Sequence, residues 1–300
     1  RFIKILEEDQ LDKHQFQRFN AEVSVRPNEL QDTITNSTDI QKTLEHWMTE
    51  KGISASALIS YIRNPYDLYK TKVLQVYDPD ELKDLESADL FGNVVHDSLE
   101  KLYNKLPLHQ VITLDDMRML KTKSEDVVRA KVLHHCGSNA FDKGSNVLGF
   151  EAIKKQIDLL LDEEISLVKN NELQILAIEK NERFELKTDL FKKPVKLHGK
   201  IDRIDKLNGT KRIVDYKTGA GKRLSLSNFE DLILVEDKAH AFQTLFYSLL
   251  KQAIFDKDEK WQAGNIYLKE KSKKFKPLHI NKDDRIDKQK LDDFKSVLHQ

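Results

Sequence analysis

Arg212–Gly219 reads RIVDYKTG: two apolar residues, an aspartate, a tyrosine, a lysine and a turn. On a β-strand, residues two apart leave by the same face, so Asp215 and Lys217 stand side by side at the strand's end. A single D-x-K of this kind is usually a solvated ion pair on an exposed strand, so its surroundings decide its meaning. Upstream lies GKIDRID, residues 199–205, and between the two stretches sits Asn208-Gly209, a strong signal for a two-residue hairpin turn. An antiparallel pair turning there places Asp202 opposite Asp215, with Lys217 one pleat further along. Two buried carboxylates that face each other repel unless a cation lies between them. Oxygen donors of this type suit hard divalent ions such as Mg²⁺ or Mn²⁺. Such an ion lowers the pKa of its bound water and polarises a phosphoryl oxygen. Lys217 is placed to orient that water or to stabilise charge on a phosphate.

Around this hairpin the periodicity predicts helices first, then three strands, a helix, a strand and a helix. A loose helical pattern spans residues 1–19, and a helix is expected around IQKTLEHWMTEK, residues 40–51. SASALISYIRNPYDLYKTKVL (54–74) reads as a capped helix, a break at Asn64-Pro65 and a further helical turn. LFGNVVHDSLEKLYNKL (90–106) has its apolar stripe at Val95, Leu99, Leu102 and Leu106, and residues 110–171 look wholly helical. LQILAIEKNERFEL (173–186), KPVKLHGKIDRIDKLNG (193–209) and KRIVDYKTG (211–219) follow as strands. The helix VEDKAHAFQTLFYSLLKQAIF (235–255), the strand WQAGNIYLKE (261–270) and a C-terminal helix complete the order. This is an α/β domain with a large helical portion ahead of its sheet. The division expected is an N-terminal helical segment, 1–53, and a domain from 54 to 300 with a helical insertion at about 107–171.

Composition narrows the function. The 300 residues carry 50 basic and 50 acidic side chains, so bulk charge does not announce a nucleic-acid partner, and any basic surface must be local. One cysteine, Cys136, excludes a disulfide framework and a four-cysteine zinc or iron–sulfur site within the chain. A reducing, cytoplasmic setting is the simplest reading, and no apolar run is long enough to span a membrane. The chain starts at Arg1 in mid-pattern, as expected for a piece of a longer polypeptide.

The ordered motifs GKIDRID and IVDYKTG resemble the core of the PD-(D/E)XK nucleases, specifically the RecB/AddB-like branch. Two further stretches extend the resemblance: GNVVHDSLEKLY, with His96 and Glu100, and QTLFY, with Gln243 and Tyr247 one helical turn apart. It covers residues 54 to about 270. It implies a restriction-endonuclease-like core, a mixed sheet flanked by helices, and metal-dependent hydrolysis of phosphodiester bonds in DNA. By the same resemblance His96, Asp202, Asp215 and the Tyr216 carbonyl bind Mg²⁺ or Mn²⁺, and Lys217 is the catalytic lysine. Gln243 and Tyr247 line the site, and Glu179 or Glu182 adds an outer carboxylate. Single-stranded DNA emerging from a partner helicase in double-strand-break repair is the implied substrate. Many relatives have a cysteine before the proline of the first motif, as an iron–sulfur ligand. Asn64 stands there instead, so no cluster is expected. A non-catalytic scaffold that binds DNA ends or a helicase is the alternative.

TGAGKR (218–223) fails as a phosphate-binding loop, because Tyr216 stands where a glycine is needed and Arg223 where Ser or Thr is. Lys222 and Arg223 are instead expected at DNA phosphates. The run Lys269, Lys271, Lys273, Lys274 and Lys276 is either a solvated edge or a phosphate track.

Overall fold

The computed structural model describes residues 35, 37–76, 85–234, 236–252 and 260–299. Most of the expected N-terminal helical segment, everything before residue 35, lies outside them. Helix α1 (Thr38–His46) runs into a π-helical turn, Trp47–Lys51, where the sequence pattern places a helix. Helix α2 (Ala55–Arg63) starts at Ser54, whose hydroxyl accepts the Ala57 N–H at 3.3 Å. It stops before Pro65, and the Asn64 side chain caps the short turn Pro65–Leu68 that follows.

Three longer helices precede the sheet: α3 (Ala88–Tyr103), α4 (Leu114–Cys136) and α5 (Gly144–Val168). The expectation of unbroken helix over 110–171 is corrected here. Gly137 adopts φ +88, a left-handed conformation that ends α4, and a single tight turn, Ala140–Asp142, separates it from α5. At its other end α4 carries a reciprocal cap between Thr113 and Asp116.

Strands β1 (Leu173–Leu186), β2 (Val195–Leu207) and β3 (Thr210–Lys217) match the three stretches the periodicity selects. Asn208 and Gly209 have φ +48 and +85, the two left-handed positions of a type I′ turn, which fixes the β2–β3 register. That register runs from Leu207↔Thr210 to Arg203↔Val214, so Asp202 and Asp215 come next in line. After the short strand β4 (Ser225–Leu226), helix α6 (Ala239–Leu250) crosses over and β5 (Gln262–Tyr267) pairs parallel to β3. Strand β6 (Lys276–Pro277) closes the edge antiparallel to β5, giving a mixed five-stranded sheet in the order β1-β2-β3-β5-β6. Gly264 makes that edge possible: a Cβ there would stand 2.1 Å from the Lys276 carbonyl oxygen. Strand β7 (His279–Ile280) pairs with β4, and α7 (Lys288–Leu298) ends the described chain.

Both faces of the sheet are covered. Val214, Tyr216 and Ile266 pack against the layer of α3, α4 and α5 through Val94, Leu99, Leu120 and Ile157. Ile204, Ile213 and Ala263 pack against α6 and α7 through Phe242, Leu245, Phe246 and Phe294. Each such fully buried side chain stabilises the fold by about 1.5–3 kcal/mol. Alternation along β3 therefore sends Tyr216 to one layer and Asp215 and Lys217 toward the other. Among the described residues no helix is long and apolar enough to cross a membrane.

Candidate active site

Where β2 and β3 stop pairing, their ends separate and the ladder is replaced by side chains. The Tyr216 N–H, which has no partner left on β2's backbone, donates to Asp202 Oδ2 at 2.7 Å. Asp202 Oδ1 lies 3.3 Å from His96 Nδ1 on α3, and His96 Nδ1 lies 3.8 Å from Glu179 Oε1 on β1. Donor atoms of His96, Glu179 and Asp202 all fall within 4.8 Å of one another. Beside them Asp215 is 4% exposed. Its Oδ2 is paired with Lys217 Nζ at 2.7 Å. Lys217 Nζ also donates to Gln243 Oε1 at 2.8 Å, and Gln243 Nε2 donates to the Tyr247 hydroxyl at 2.8 Å. Helix α6 thus holds the lysine through residues at i and i+4 of one face.

The electrostatics follow from this crowding. Burial would lower the His96 pKa, but the Asp202 carboxylate, at hydrogen-bond range, and then Glu179 and Asp215 carry it up to about 10. Asp215 is pushed up to about 6 by burial, against the pull of Lys217 and with the Asp202 charge adding to the rise. Burial also raises the Tyr247 phenol, and the charges of Asp215 and Asp202 raise it further.

The other expected residues fall at various distances from this cluster. Glu100, one turn along α3 from His96, reaches Lys200 at 3.4 Å, and Lys200 in turn holds Glu179 Oε2 at 2.7 Å. Glu182 is drawn away: it pairs with Lys251 on the far end of α6 and lies 3.6 Å from Lys180. Lys222 pairs with Asp237 at 2.5 Å, and it and Arg223 line a separate groove beyond the end of β3. The lysine run divides. Lys269, Lys271 and Lys274 are exposed, whereas Lys273 is buried with its amine on the Glu270 carbonyl and Lys276 pairs with the Glu270 carboxylate at 2.6 Å.

Glu179 is the residue the sequence pattern underrates. It sits between the pairs Ile178↔Arg203 and Lys180↔Ile201, directly across from Asp202, at φ +46. A glutamate in the left-handed region is rare and costs of order 1 kcal/mol or more, which the surrounding sheet must offset. Its signal in the sequence is positional only: pairing β1 with β2 in the right register brings it to Asp202. Lys200 is found by the same register.

A divalent metal, which the fold family implies, fits these residues on two observations. Donor atoms of His96, Glu179 and Asp202 converge within 4.8 Å of one another, and the buried Asp215 carboxylate beside them has its pKa pushed up to about 6 by burial and by the Asp202 charge. Two carboxylates and one imidazole next to another carboxylate form a donor set for a hard ion of the Mg²⁺ or Mn²⁺ type.

A mixed sheet flanked by helices, with paired acidic residues and a lysine where two strands part, defines a restriction-endonuclease-like domain. The comparisons agree. Residues 52–300 match the family model of the PD-(D/E)XK nuclease superfamily, and the chain belongs to that superfamily. It is also similar to an uncharacterized protein of Rickettsia typhi (strain ATCC VR-144 / Wilmington), 29% identical over 196 residues. That match covers 62% of this chain and 21% of the relative, so the chain spans about a fifth of the relative's length.

Proposed function

We propose that this chain is a deoxyribonuclease that hydrolyses phosphodiester bonds with Mg²⁺ or Mn²⁺. The observation that carries the reading is the convergence of donor atoms of His96, Asp202 and Glu179 within 4.8 Å of one another, with buried Asp215 and its partner Lys217 at the neighbouring end of β3. His96, Asp202, Asp215 and the Tyr216 carbonyl, with Glu179 beside them, would hold the metal. When bound, such an ion supplies Lewis acidity toward a phosphoryl oxygen and a water of lowered pKa. His96 must give up its proton to act as a ligand. Lys217, fixed by Gln243 and Tyr247, is then relieved of Asp215's charge and points its ammonium at the incoming phosphate or the attacking water. Asp202 keeps the ends of β2 and β3 joined through its bond to the Tyr216 N–H.

The order His96, Asp202, Asp215-x-Lys217, Gln243-x₃-Tyr247 supports the RecB/AddB-like branch. From that follow single-stranded DNA as substrate, exonucleolytic action in recombination or double-strand-break repair, a helicase partner and a cytoplasmic location. The Asn64-Pro65 capped turn, in place of Cys-Pro, supports the expectation of no iron–sulfur cluster.

End-labelled single-stranded DNA incubated with Mg²⁺ or Mn²⁺ tests the reading, beside Asp215→Ala and Lys217→Ala. Cleavage by the parent, with a loss of at least about 10²-fold in each variant, is expected. A parent that binds DNA and never cuts it with either metal is a scaffold, and the nuclease reading is then wrong.

A further inference from the structure

Beyond the end of β3 the residues after Gly221 and the residues around β6 and β7 enclose an open groove of about 1080 Å³. Its walls carry Lys222, Arg223, Lys276, His279 and Lys282, with Phe275 among them, and no acidic side chain lines it. Two of the lysines are neutralised by neighbours, Lys222 by Asp237 and Lys276 by Glu270. Arg223 and Lys282 form no ion pair among the described residues, so two positive charges are left facing the groove.

Lys282 is there at a conformational cost. Ile280 and Asp283 exchange backbone hydrogen bonds of 2.8 and 3.0 Å across Asn281 and Lys282, whose φ values are +51 and +69. This is a type I′ turn, in which the second position favours glycine. Lys282 is thus held left-handed at the groove with no ion-pair partner among the described residues, which leaves its ammonium available to a ligand there.

The groove also connects to the site. Lys276 Nζ stands 5.4 Å over the Tyr267 ring, and the Tyr267 hydroxyl is 3.0 Å from His240 Nδ1. His240 lies one turn before Gln243 on α6, and Gln243 holds Lys217. These contacts, Lys276 to Tyr267, Tyr267 to His240, and Gln243 to Lys217, run from the groove to the site.

We propose that this groove is the track for a single strand of DNA on one side of the scissile phosphate, with Arg223 and Lys282 as its phosphate contacts. The inference rests on the nuclease reading and names where that substrate lies. A groove of about 1080 Å³ takes a short run of one strand. Cations along such a groove hold a strand by its phosphates, without sequence preference.

Anisotropy of a labelled short oligothymidylate, measured without divalent ions across a salt series, tests it. Each phosphate contact contributes about 0.7 to the slope of log K against log salt for single strands, so two contacts contribute about 1.4. Arg223→Gln with Lys282→Gly is expected to flatten the slope by about that amount and weaken binding several-fold. Lys282→Gly suits the turn, so the variant should melt no lower than the parent. Lys155→Gln, on the exposed face of α5, should leave the slope unchanged. An unaltered slope in the double variant overturns the proposal, as does equal flattening by Lys155→Gln or a parent that does not bind. The nuclease reading is decided separately, by whether the parent cuts.

Discussion

Strands β2 and β3 carry buried charges on both faces, and the two faces are built in opposite ways. Toward the α3–α5 layer, Arg203 is 1% exposed and fully engaged at its terminal nitrogens. Its Nη1 donates to Glu164 at 2.6 Å and to the Tyr216 hydroxyl at 2.8 Å, and its Nη2 lies 2.9 Å from Asp205. Arg212 grips Asp205 with two bonds of 2.7 and 2.9 Å, and Tyr103 donates to the other Glu164 oxygen at 2.6 Å. Two cations meet two carboxylates, and only Arg203 Nε lacks a partner. On the opposite side Asp202, Asp215 and Glu179 are buried together, while the cations that face them, His96, Lys217 and Lys200, are 30%, 18% and 46% exposed, so the buried charge itself is unbalanced. Balanced buried charge serves the fold, joining α5 to β2 and β3. Unbalanced buried charge is held there against its own repulsion and serves a ligand.

The largest effect should come from breaking the balanced face. Arg203→Met leaves Glu164 buried without its cation, and urea denaturation should report a loss of about 3–5 kcal/mol. A loss under 1 kcal/mol would mean the network is not what ties the helical layer to the sheet. The unbalanced face should answer with the opposite sign. Folded Asp215 has its pKa raised from 3.8 to about 6, so ionising it at neutral pH opposes folding. Without metal at pH 7.5, Asp215→Asn should be more stable than the parent by on the order of 2 kcal/mol. The sign is fixed by linkage: the advantage is full above the folded pKa of about 6 and declines as pH falls toward the unfolded value of 3.8. It should vanish about a unit below that, where the carboxyl is protonated in both folded and unfolded chains. Thermal melts at the two pH values check this, and a variant less stable at pH 7.5 would refute it. The smallest effect is at Glu179. Metal-free Glu179→Gly relieves the left-handed strain but gives up the contact with Lys200 at 2.7 Å, so the same melts should shift by less than about 1 kcal/mol.

The sequence made some of this legible and hid the rest for identifiable reasons. The Asn208-Gly209 turn permits one register, so the juxtaposition of Asp202 with Asp215 could be read from spacing alone. Gln243 and Tyr247 enter through the family resemblance, and helical spacing then puts them on one face. Glu179 was not, because its placement depends on the β1–β2 pairing, whose register shifts between Ile175 and Ala177. The Arg203–Glu164 pair joins residues 39 apart, and nothing local in either stretch marks the other. The groove escaped for the same reason: Arg223 and Lys282 are brought together by the parallel pairing of β4 with β7. The break at Gly137 was missed because the residues on either side of it keep helical spacing.

The account turns on whether the unbalanced face is a metal site. Calorimetric titration of Mn²⁺ into the parent and into Asp215→Asn at neutral pH asks this most directly. The account predicts saturable binding by the parent and more than about tenfold weaker binding by the variant. No saturable binding by a folded parent, or equal affinity in both proteins, would contradict it.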